Sequence, residues 1–369
     1  MEEKKLKYRT YFYIVKSSES NNSDGHNNET WQVQESEPFE NYVELSTLDP
    51  QNEKEREEFA KEKAEKERNE KVIVKVRNLT KDYGKGRGIF DVSFDVTKGT
   101  VFGYCGTNGS GKTTTLRHIM GFLKPQKGSV KVKGLDAWKD ADIIKKYIGY
   151  LPGEIAFPQV ESGSEFLKIQ AESLGLKDMS KAEMIINALQ LDPTANLRRM
   201  SKGMKQKTAI VAALMHSPEI IILDEPTTGL DPLMRDVFVN LIKAEKARGA
   251  TIIMSNHMFD ELEETCDQVA FIKDGRIVDI VDMNALRNLP YRDYVVTFEN
   301  EKDYKEFNLP EVEVLERNDK ELSISFRIEL KKANQLIDEF IKRDIKSFTE
   351  KKHTLEEIFL KDVGGTNHE

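Results

Sequence analysis

A glycine-rich segment that ends in lysine and threonine is the part of the sequence most suited to chemistry. Residues 106–113 read GTNGSGKT and fit the pattern G-x-x-x-x-G-K-[ST] between a predicted strand and a predicted helix. Glycines let the backbone turn its N–H groups inward, and a helix starting near Lys112 adds positive partial charge. The segment therefore predicts a phosphate site. Its predicted contacts are Gly106, Thr107, Asn108, Gly109, Ser110, Gly111, Lys112, Thr113 and Thr114.

A second stretch, EIIILDEP, carries the carboxylates that a magnesium-bound triphosphate needs. Its continuous apolar run predicts a parallel strand buried on both faces, which ends at Asp224 and Glu225. Because ligands bind at the carboxyl edge of such sheets, we expect Asp224 and Thr113 to hold Mg²⁺. Glu225 is then the candidate general base. A polar strand end before a proline turn would look alike, but the upstream phosphate loop favours the catalytic interpretation.

Strand-like and helix-like patterns alternate from residue 72 to about 280, which is typical of a layered α/β domain. Residues 282–369 predict a small α+β domain in ferredoxin-like order. Residues 1–70 are acidic and contain two strand-like segments, a Ser/Asn/Gly-rich loop and a charged helical linker. We therefore predict three parts, an N-terminal extension over 1–70, a nucleotide-binding domain over 71–281 and the small C-terminal domain.

Composition limits the classes of function. The formal net charge of −8 argues against general nucleic-acid binding. Two distant cysteines, Cys105 and Cys266, form no disulfide framework and suit a reducing cytosol. No apolar run approaches the roughly 20 residues of a membrane span, and no signal pattern is visible. We expect a soluble chain whose membrane role, if any, depends on a partner.

Taken in order, several motifs resemble those of the ATP-binding subunits of ABC transporters, over about residues 72–281. The resemblance rests on Tyr83 in LTKDYG, the phosphate loop, MSKGMKQK at 200–207, LDEP, TTGLDP with Asp231, and TIIMSNH with His257. Each motif alone is weak, whereas the ordered set is specific. It implies a P-loop NTPase fold of the ABC type with a helical subdomain, which binds ATP and Mg²⁺.

The resemblance assigns roles to further residues. Tyr83 would stack on adenine, His257 would contact the γ-phosphate, and Asp231 would lie in a loop at a dimer interface. The signature residues would cap the γ-phosphate held by a second ATPase subunit; they are Ser201, Lys202, Gly203 and Met204. From the residues alone, this segment is a helix N-terminus that either binds an anion or is ordinarily capped.

The sequence departs from the family pattern in two places. Gly153 stands where the family usually has a glutamine, and the neighbouring Glu154 either reaches Mg²⁺ or is a surface carboxylate. The signature differs from LSGGQ at Lys202 and Met204. Both departures are typical of bacterial ATPases paired with exporter-type membrane subunits. The apolar loop at 155–158 either forms a docking groove or packs inward.

The resemblance thus implies an ATPase that powers a separate transmembrane subunit, for export, as a homo- or heterodimer. It would lie in the cytoplasm, peripheral on the inner face of the membrane, with no direct nucleic-acid partner. One alternative is a soluble ABC-type ATPase that remodels nucleic-acid or protein complexes, although the chain has a single cassette and no long coiled-coil insertion. The other is a P-loop kinase, against which the signature and Asp231 argue.

Overall fold

The computed structural model describes residues 12–16, 31–35, 71–332, 336, 339–351 and 353–364. The chain divides into two units, Met1–Asn69 and Glu70–Glu369. In the first unit, β1 (Phe12–Lys16) pairs antiparallel with β2 (Trp31–Glu35), and both lie in segments predicted to be strands. The predicted loop between them and the charged linker lie outside the described residues.

The elements of the second unit alternate as the pattern predicts. Its first half contains β3 (Val72–Asp82), β4 (Gly88–Thr97), β5 (Val101–Cys105), α1 (Lys112–Ile119), β6 (Lys127–Val132), β7 (Leu135–Asp136), α2 (Ala141–Ile144) and β8 (Ile148–Leu151). Next come α3 (Gly163–Ser173), α4 (Ser180–Ala188), α5 (Lys202–Leu214), β9 (Ile220–Asp224), α6 (Pro232–Ala247), β10 (Thr251–Asn256), α7 (Phe259–Thr265), β11 (Gln268–Lys273), β12 (Arg276–Asp282) and α8 (Met283–Arg287). The last described elements are β13 (Tyr291–Phe298), α9 (Glu301–Glu306), β14 (Val312–Asn318), β15 (Ser323–Glu329), β16 (Ile345–Lys351) and α10 (Leu355–Gly364).

A six-stranded sheet in the order β12-β11-β5-β10-β9-β8 positions the predicted site. Adjacent strands of this sheet are parallel except at one edge, where β12 is antiparallel to β11. Every residue of β5, β9 and β10 is buried, because these inner strands have a neighbour on each side and packed layers on both faces. The register places Ser255 of β10 beside Asp224 of β9.

Side chains of the parallel strands alternate between two hydrophobic cores. Phe102 and Ile222 pack into a core shared with α1 and with a second, antiparallel sheet in the order β4-β3-β6-β7. Phe102 stacks on Phe94 of that sheet, with ring centroids 4.9 Å apart. Leu223 and Met254 face the other core, which includes residues of α3 to α7. Two-sided burial accounts for the uninterrupted apolar runs in the sequence.

The helical subdomain contains α3 and α4, as the pattern predicts. Ser162 caps α3 by accepting the backbone N–H of Glu165, and Phe166 packs into the core. The preceding loop, at residues 155–158, is divided between the two alternatives left open for it. Ile155 and Phe157 pack inward, with Phe157 edge-on to Phe166 at a centroid distance of 4.8 Å, while residues 156 and 158 are exposed.

A four-stranded antiparallel sheet in the order β14-β15-β13-β16 forms the C-terminal part of the second unit. Numbered along the chain these strands lie in the order 2-3-1-4, which is the predicted ferredoxin-like arrangement. Its core contains Phe298, Phe307 and Phe326. The helix α10 returns to the nucleotide-binding part, where Phe359 lies 5.3 Å from Phe271 between ring centroids. Among the residues that the structure describes, no helix is long and apolar enough to cross a membrane.

Candidate functional site

The glycine-rich segment turns from the end of β5 into α1, and two of its glycines are required by close approach. A Cβ on Gly106 would lie 2.3 Å from the carbonyl oxygen of Ile272. A Cβ on Gly111, whose φ is 111°, would lie 2.5 Å from Cγ2 of Ile89. The turn between β11 and β12 supports the loop, because the N–H of Gly275 donates to the carbonyl of Ser110 at 3.0 Å. The loop is therefore held from outside.

The N-terminus of α1 has the features of an anion site. Its N-cap is Gly111, which provides no side-chain acceptor, and the first turn has no acidic residue. The first N–H groups of a helix have no intrahelical acceptor, so they and the helix dipole favour a phosphate. Gly109 has φ 82°, and none of the described residues lies within 4 Å of a Cβ position there, so they leave the loop open on that side. Thr113 and Thr114 lie half-buried in the first turn.

Lys112 lies between the loop and the carboxylate of Glu225. The lysine is only 5% exposed, and its Nζ donates to the carbonyl oxygens of Gly106 at 2.8 Å and Thr107 at 3.2 Å. The same Nζ is 3.6 Å from Oε1 of Glu225. A buried ammonium group in this position can balance the charge of the phosphates that the loop would hold.

Asp224, at the end of β9, is completely buried. Its Oδ1 accepts a hydrogen bond from the hydroxyl of Ser255 at 2.5 Å, whereas Oδ2 is buried with no hydrogen-bond partner among the described residues. A buried, unsatisfied carboxylate oxygen is costly, so this donor set fits a cation or a water of its shell. Magnesium bound with a nucleotide typically takes one or two protein ligands besides phosphate oxygens, and Asp224 and Thr113 could provide them.

Glu225 has a left-handed backbone with φ 49°, which is unusual for a residue with a side chain. Its N–H donates to both the carbonyl oxygen and the hydroxyl of Ser255, each at 3.1 Å. Gln206 of α5 supports the next peptide by donating to the carbonyl of Pro226 at 2.7 Å. The Glu225 side chain is 29% exposed, so its carboxylate is partly accessible to solvent while hydrogen bonds hold its backbone. This arrangement suits a general base.

His257 follows directly after β10 and is exposed. Its backbone N–H donates to Oδ1 of Asn256 at 2.7 Å, so a buried asparagine fixes the start of this loop. Since β10 lies beside β9, His257 and Glu225 follow neighbouring strand ends. A contact of the imidazole with a γ-phosphate stays a prediction.

The signature segment forms an ordinarily capped helix start within this chain. Ser201 is the N-cap of α5 and accepts the backbone N–H of Met204 at 3.2 Å. Gly203 is required by packing, since a Cβ there would lie 2.7 Å from the carbonyl oxygen of Gly229. Lys202 is exposed, and Met204 packs against the core. The binding of a second subunit's γ-phosphate is therefore still a prediction.

Three further predicted residues lie around these elements. Tyr83 is 49% exposed in the turn after β3, with Nζ of Lys81 5.9 Å from its ring centroid, so its ring is accessible to a base. Asp231 is the N-cap of α6 and accepts the backbone N–H of Met234 at 3.0 Å. Glu154 is exposed, and its predicted magnesium role is not tested by any contact described for it.

Gly153 lies against Asp224. A Cβ on Gly153 would lie 3.1 Å from Oδ2 of Asp224, the oxygen for which the described residues provide no hydrogen-bond partner. Burial raises the pKa of the Tyr150 phenol three residues earlier, and the negative charge of Asp224 raises it further. The segment in which the family usually has its glutamine therefore does approach the predicted metal ligand, but it presents a glycine there.

The polar residues that hold the predicted catalytic segment are not evident from the sequence alone. Ser255, Gln206 and Asn256 are each buried and donate or accept hydrogen bonds around Glu225 or His257. For Ser255 and Asn256 the sequence signal is a run of polar residues, SNH, after an apolar strand. Once β10 is placed beside β9, that signal points to Ser255, because parallel strands bring their carboxyl ends to one edge.

Three residues that the sequence predicts to be structural are His118 and Cys105, which are buried, and His216, which is half-buried. Nδ1 of His118 lies 2.8 Å from the carbonyl oxygen of Thr114, and burial lowers the pKa of its imidazole. Burial also lowers the pKa of His216 and raises that of the Cys105 thiol to about 12. These environments favour the uncharged forms, which suits packing.

Comparisons with known proteins agree with this geometry. A family model described as "ABC transporter" matches residues 89–228. The bacitracin transport ATP-binding protein BcrA of Bacillus licheniformis is 30% identical over 80% of this chain and 98% of its own length. The linearmycin resistance ATP-binding protein LnrL of Bacillus subtilis is 33% identical over 56% of this chain and 68% of its own.

Solved structures give the same fold. A structure of the ATP-binding subunit of an ABC transporter has a TM-score of 0.53 and 28% sequence identity to this chain. The match covers 58% of this chain and 92% of the chain in that structure. A dimeric ATP-binding cassette in a post-hydrolysis state with ADP and Pi has a TM-score of 0.52 and 24% identity. This match covers 57% of this chain and 99% of the chain in that structure.

Proposed function

Because the chain belongs to the family of ABC transporter ATP-binding subunits, we propose that it hydrolyses Mg-ATP with Glu225 as base to drive a separate transmembrane subunit. ATP binding and hydrolysis are the activities of the family. The observation that carries the residue assignment is the meeting of Lys112 with Glu225, at 3.6 Å, beside the buried Asp224. A cation, a base and a candidate metal ligand converge at the end of one strand.

The chain's groups would share the work of one in-line displacement. The loop N–H groups and Lys112 hold the β- and γ-phosphates, and Glu225 accepts a proton from the attacking water. The water oxygen bonds to the γ-phosphorus, the bond to the bridging oxygen breaks, and ADP leaves with the electron pair. Magnesium, held by Thr113 and Asp224, would neutralise developing charge. A positioned general base typically contributes about 10²–10⁴-fold in rate.

We further propose that two ATPase subunits, identical or not, enclose the nucleotides. The signature residues Ser201 to Met204 and the loop with Asp231 would then complete the partner's site. The N-terminus of α5, whose first residue Lys202 is exposed, supports an anion site there. The fold neighbour solved as a dimer with ADP and Pi supports the arrangement by analogy of fold.

The membrane role is proposed from the relatives. Proteins named for bacitracin transport and for linearmycin resistance are 30% and 33% identical to this chain. Resistance to a toxic compound is compatible with its outward transport. We therefore propose an exporter with a separate transmembrane subunit, served by this chain from the cytoplasmic face of the membrane.

A product assay tests the catalytic proposal. We expect wild-type protein with Mg-ATP to release ADP and phosphate in equal amounts, with no label transferred to small hydroxyl acceptors. Glu225→Gln should lose at least about 10²-fold in kcat. Glu264→Gln, an exposed glutamate in α7, is the matched control and should keep full activity. Phosphoryl transfer to an acceptor, or full activity in Glu225→Gln, would contradict the proposal.

A reconstitution assay tests the membrane role. The chain is co-produced with candidate transmembrane subunits, and inside-out vesicles are assayed for ATP-dependent uptake of candidate cargo. We expect co-purification and uptake that disappears with Glu225→Gln. An ATPase that is instead stimulated by nucleic acid, and that no membrane subunit retains, would favour the remodelling alternative.

A further inference from the structure

Glu261 is a buried carboxylate that none of the motifs includes. It lies in the first turn of α7 and is only 7% exposed. Its Oε2 accepts two hydrogen bonds, from the hydroxyl of Thr227 at 2.8 Å and from Nδ2 of Asn256 at 2.5 Å. Both donors are themselves buried. One oxygen therefore joins the segment after β9 to the end of β10.

Each donor belongs to a segment that carries a predicted catalytic group. Oδ1 of Asn256 accepts the backbone N–H groups of His257 at 2.7 Å and Met258 at 3.0 Å, so its side chain fixes the histidine's backbone. Thr227 lies two residues after Glu225, within a turn. In this turn the backbone N–H of Thr228 donates a hydrogen bond to the carbonyl oxygen of Glu225 at 3.2 Å. Moving Glu261 would therefore affect both segments together.

The sheet alone does not fix these two segments against each other. The last paired residues of β9 and β10 are Asp224 and Ser255, and Glu225 adds one more backbone bond to Ser255. Past that point the ladder ends, and side chains must fix the separation. A base and a γ-phosphate contact act in the same step, and a misplacement of about 1 Å can lower a rate about 10²-fold.

We propose that Glu261 is a positioning residue for ATP hydrolysis, which sets the separation of Glu225 and His257 through Thr227 and Asn256. This inference rests on the proposed function. The bridge uses Oε2 alone, since Oε1 is buried with no hydrogen-bond partner among the described residues. A glutamine, whose single amide oxygen can accept both hydrogen bonds, should therefore preserve the bridge. An alanine leaves two buried donors without their acceptor.

The test compares Glu261→Ala with Glu261→Gln in kcat, KM and affinity for a non-hydrolysable fluorescent ATP analogue. We expect Glu261→Ala to lower kcat about 10- to 100-fold while KM and analogue affinity stay within about threefold. Glu261→Gln should recover kcat to within about threefold of wild type. The matched control is Glu245→Ala. Glu245 is equally buried, at 6% exposure, but pairs with Lys181 and Arg248 away from the strand ends.

A merely structural role predicts a different pattern. Glu245→Ala should lower Tm while keeping kcat below its melting range, and a Glu261→Ala variant that behaves like it would overturn the proposal. Equal losses in Glu261→Gln and Glu261→Ala would overturn it as well. If Glu261→Ala does not fold, Thr227→Val provides the test, because it removes one donor of the bridge and leaves no buried hydroxyl without an acceptor. A loss in kcat at unchanged KM supports the bridge, and unchanged kcat overturns it.

The outcome separates this inference from the proposed function. If wild-type protein does not hydrolyse ATP, the proposed function fails. If wild type is active and Glu225→Gln is not, while Glu261→Ala keeps its kcat, only the positioning role fails.

Discussion

Two helix N-termini of this chain, those of α1 and α5, are both predicted to bind phosphate, yet they are built differently. The N-cap of α1 is Gly111, with a left-handed backbone and no side-chain acceptor. The N-cap of α5 is Ser201, with an extended backbone and a hydroxyl that accepts the N–H of Met204. The first end has no side-chain cap, which suits a ligand held by the same chain. The second end has a side-chain cap of its own.

Their cations differ in the same way. Lys112 is buried and fixed by carbonyl oxygens of its own loop, whereas Lys202 is exposed beside Gly229. Electrostatic interactions are stronger in buried sites than at the surface, where water and salt screen them. We therefore expect the α1 end to bind phosphate within one chain, and the α5 end to do so only when a partner buries it. This contrast is what a shared, two-subunit nucleotide site requires.

Removing each cation should give the largest difference between the two ends. We expect Lys112→Ala to lower kcat about 10²–10³-fold, as for other buried groups that stabilise a transition-state charge, and to weaken ATP binding. Lys202→Ala should leave ATP affinity of the monomer unchanged, because it touches no ligand there. Steady-state kinetics and titration with a fluorescent analogue measure both. Equal losses of ATP affinity in the Lys112 and Lys202 variants would contradict the difference between the two helix ends.

The next largest effect is a difference in stability between alanine substitutions at two glycines of the phosphate loop. Gly111→Ala adds a Cβ that would meet Ile89 at 2.5 Å as well as an unfavourable φ, so it should destabilise the fold by more than about 1–3 kcal/mol. Gly109→Ala adds only the φ strain, about 1–2 kcal/mol, since no atom of the described part of the chain lies within 4 Å of the new Cβ. Urea denaturation monitored by circular dichroism measures both. A Gly109 variant as unstable as the Gly111 variant would show that packing is not the cause.

Ser201→Ala tests the α5 end. Loss of the N-cap should lower stability by about 1 kcal/mol, within the range known for such caps. ATP affinity of the monomer should not change, because Ser201 lies outside the phosphate loop. Denaturation and analogue titration on the same preparation check the two expectations. A weaker monomer affinity would mean that α5 contacts the chain's own nucleotide.

The smallest expected effect is a pH dependence at the far ends of both helices. His118 is in the last turn of α1, and His216 follows the end of α5. Burial lowers the pKa of each below its usual value, so the unfolded chain binds protons more readily. Stability from these groups is present above about pH 6.5 and is lost as pH falls towards and through the lower folded pKa values.

Denaturation midpoints at pH 7.5 and 5.5 measure this dependence. The wild type should lose more stability between these values than a His118→Gln, His216→Gln double variant. If the two lose the same amount, other groups carry the acid sensitivity.

Much of the fold follows from local sequence pattern. The alternation after residue 72, the apolar runs of the inner strands and the strand–loop–helix context of the phosphate loop all act over short distances. The ferredoxin-like order was also predicted from the succession of elements. Such features need no knowledge of which strands are neighbours.

The supporting contacts of the site could not be predicted in this way. The Ser255 hydroxyl reaches Asp224 across 31 residues, which depends on the order and register of parallel strands. The sequence predicts that Gly203 is part of an anion site, yet its packing against Gly229 gives an independent reason for a glycine there. The left-handed backbone of Glu225 likewise depends on contacts from β10 and α5.

The most direct test of the shared site is the size of a Glu225→Gln variant in Mg-ATP, measured by light scattering against a nucleotide-free sample. With hydrolysis blocked, the account predicts a shift from monomer to dimer that the added substitution Ser201→Arg abolishes, while the phosphate loop still binds ATP. A variant that stays monomeric with ATP bound, both alone and with its transmembrane subunit and any second ATPase subunit present, would contradict the shared site.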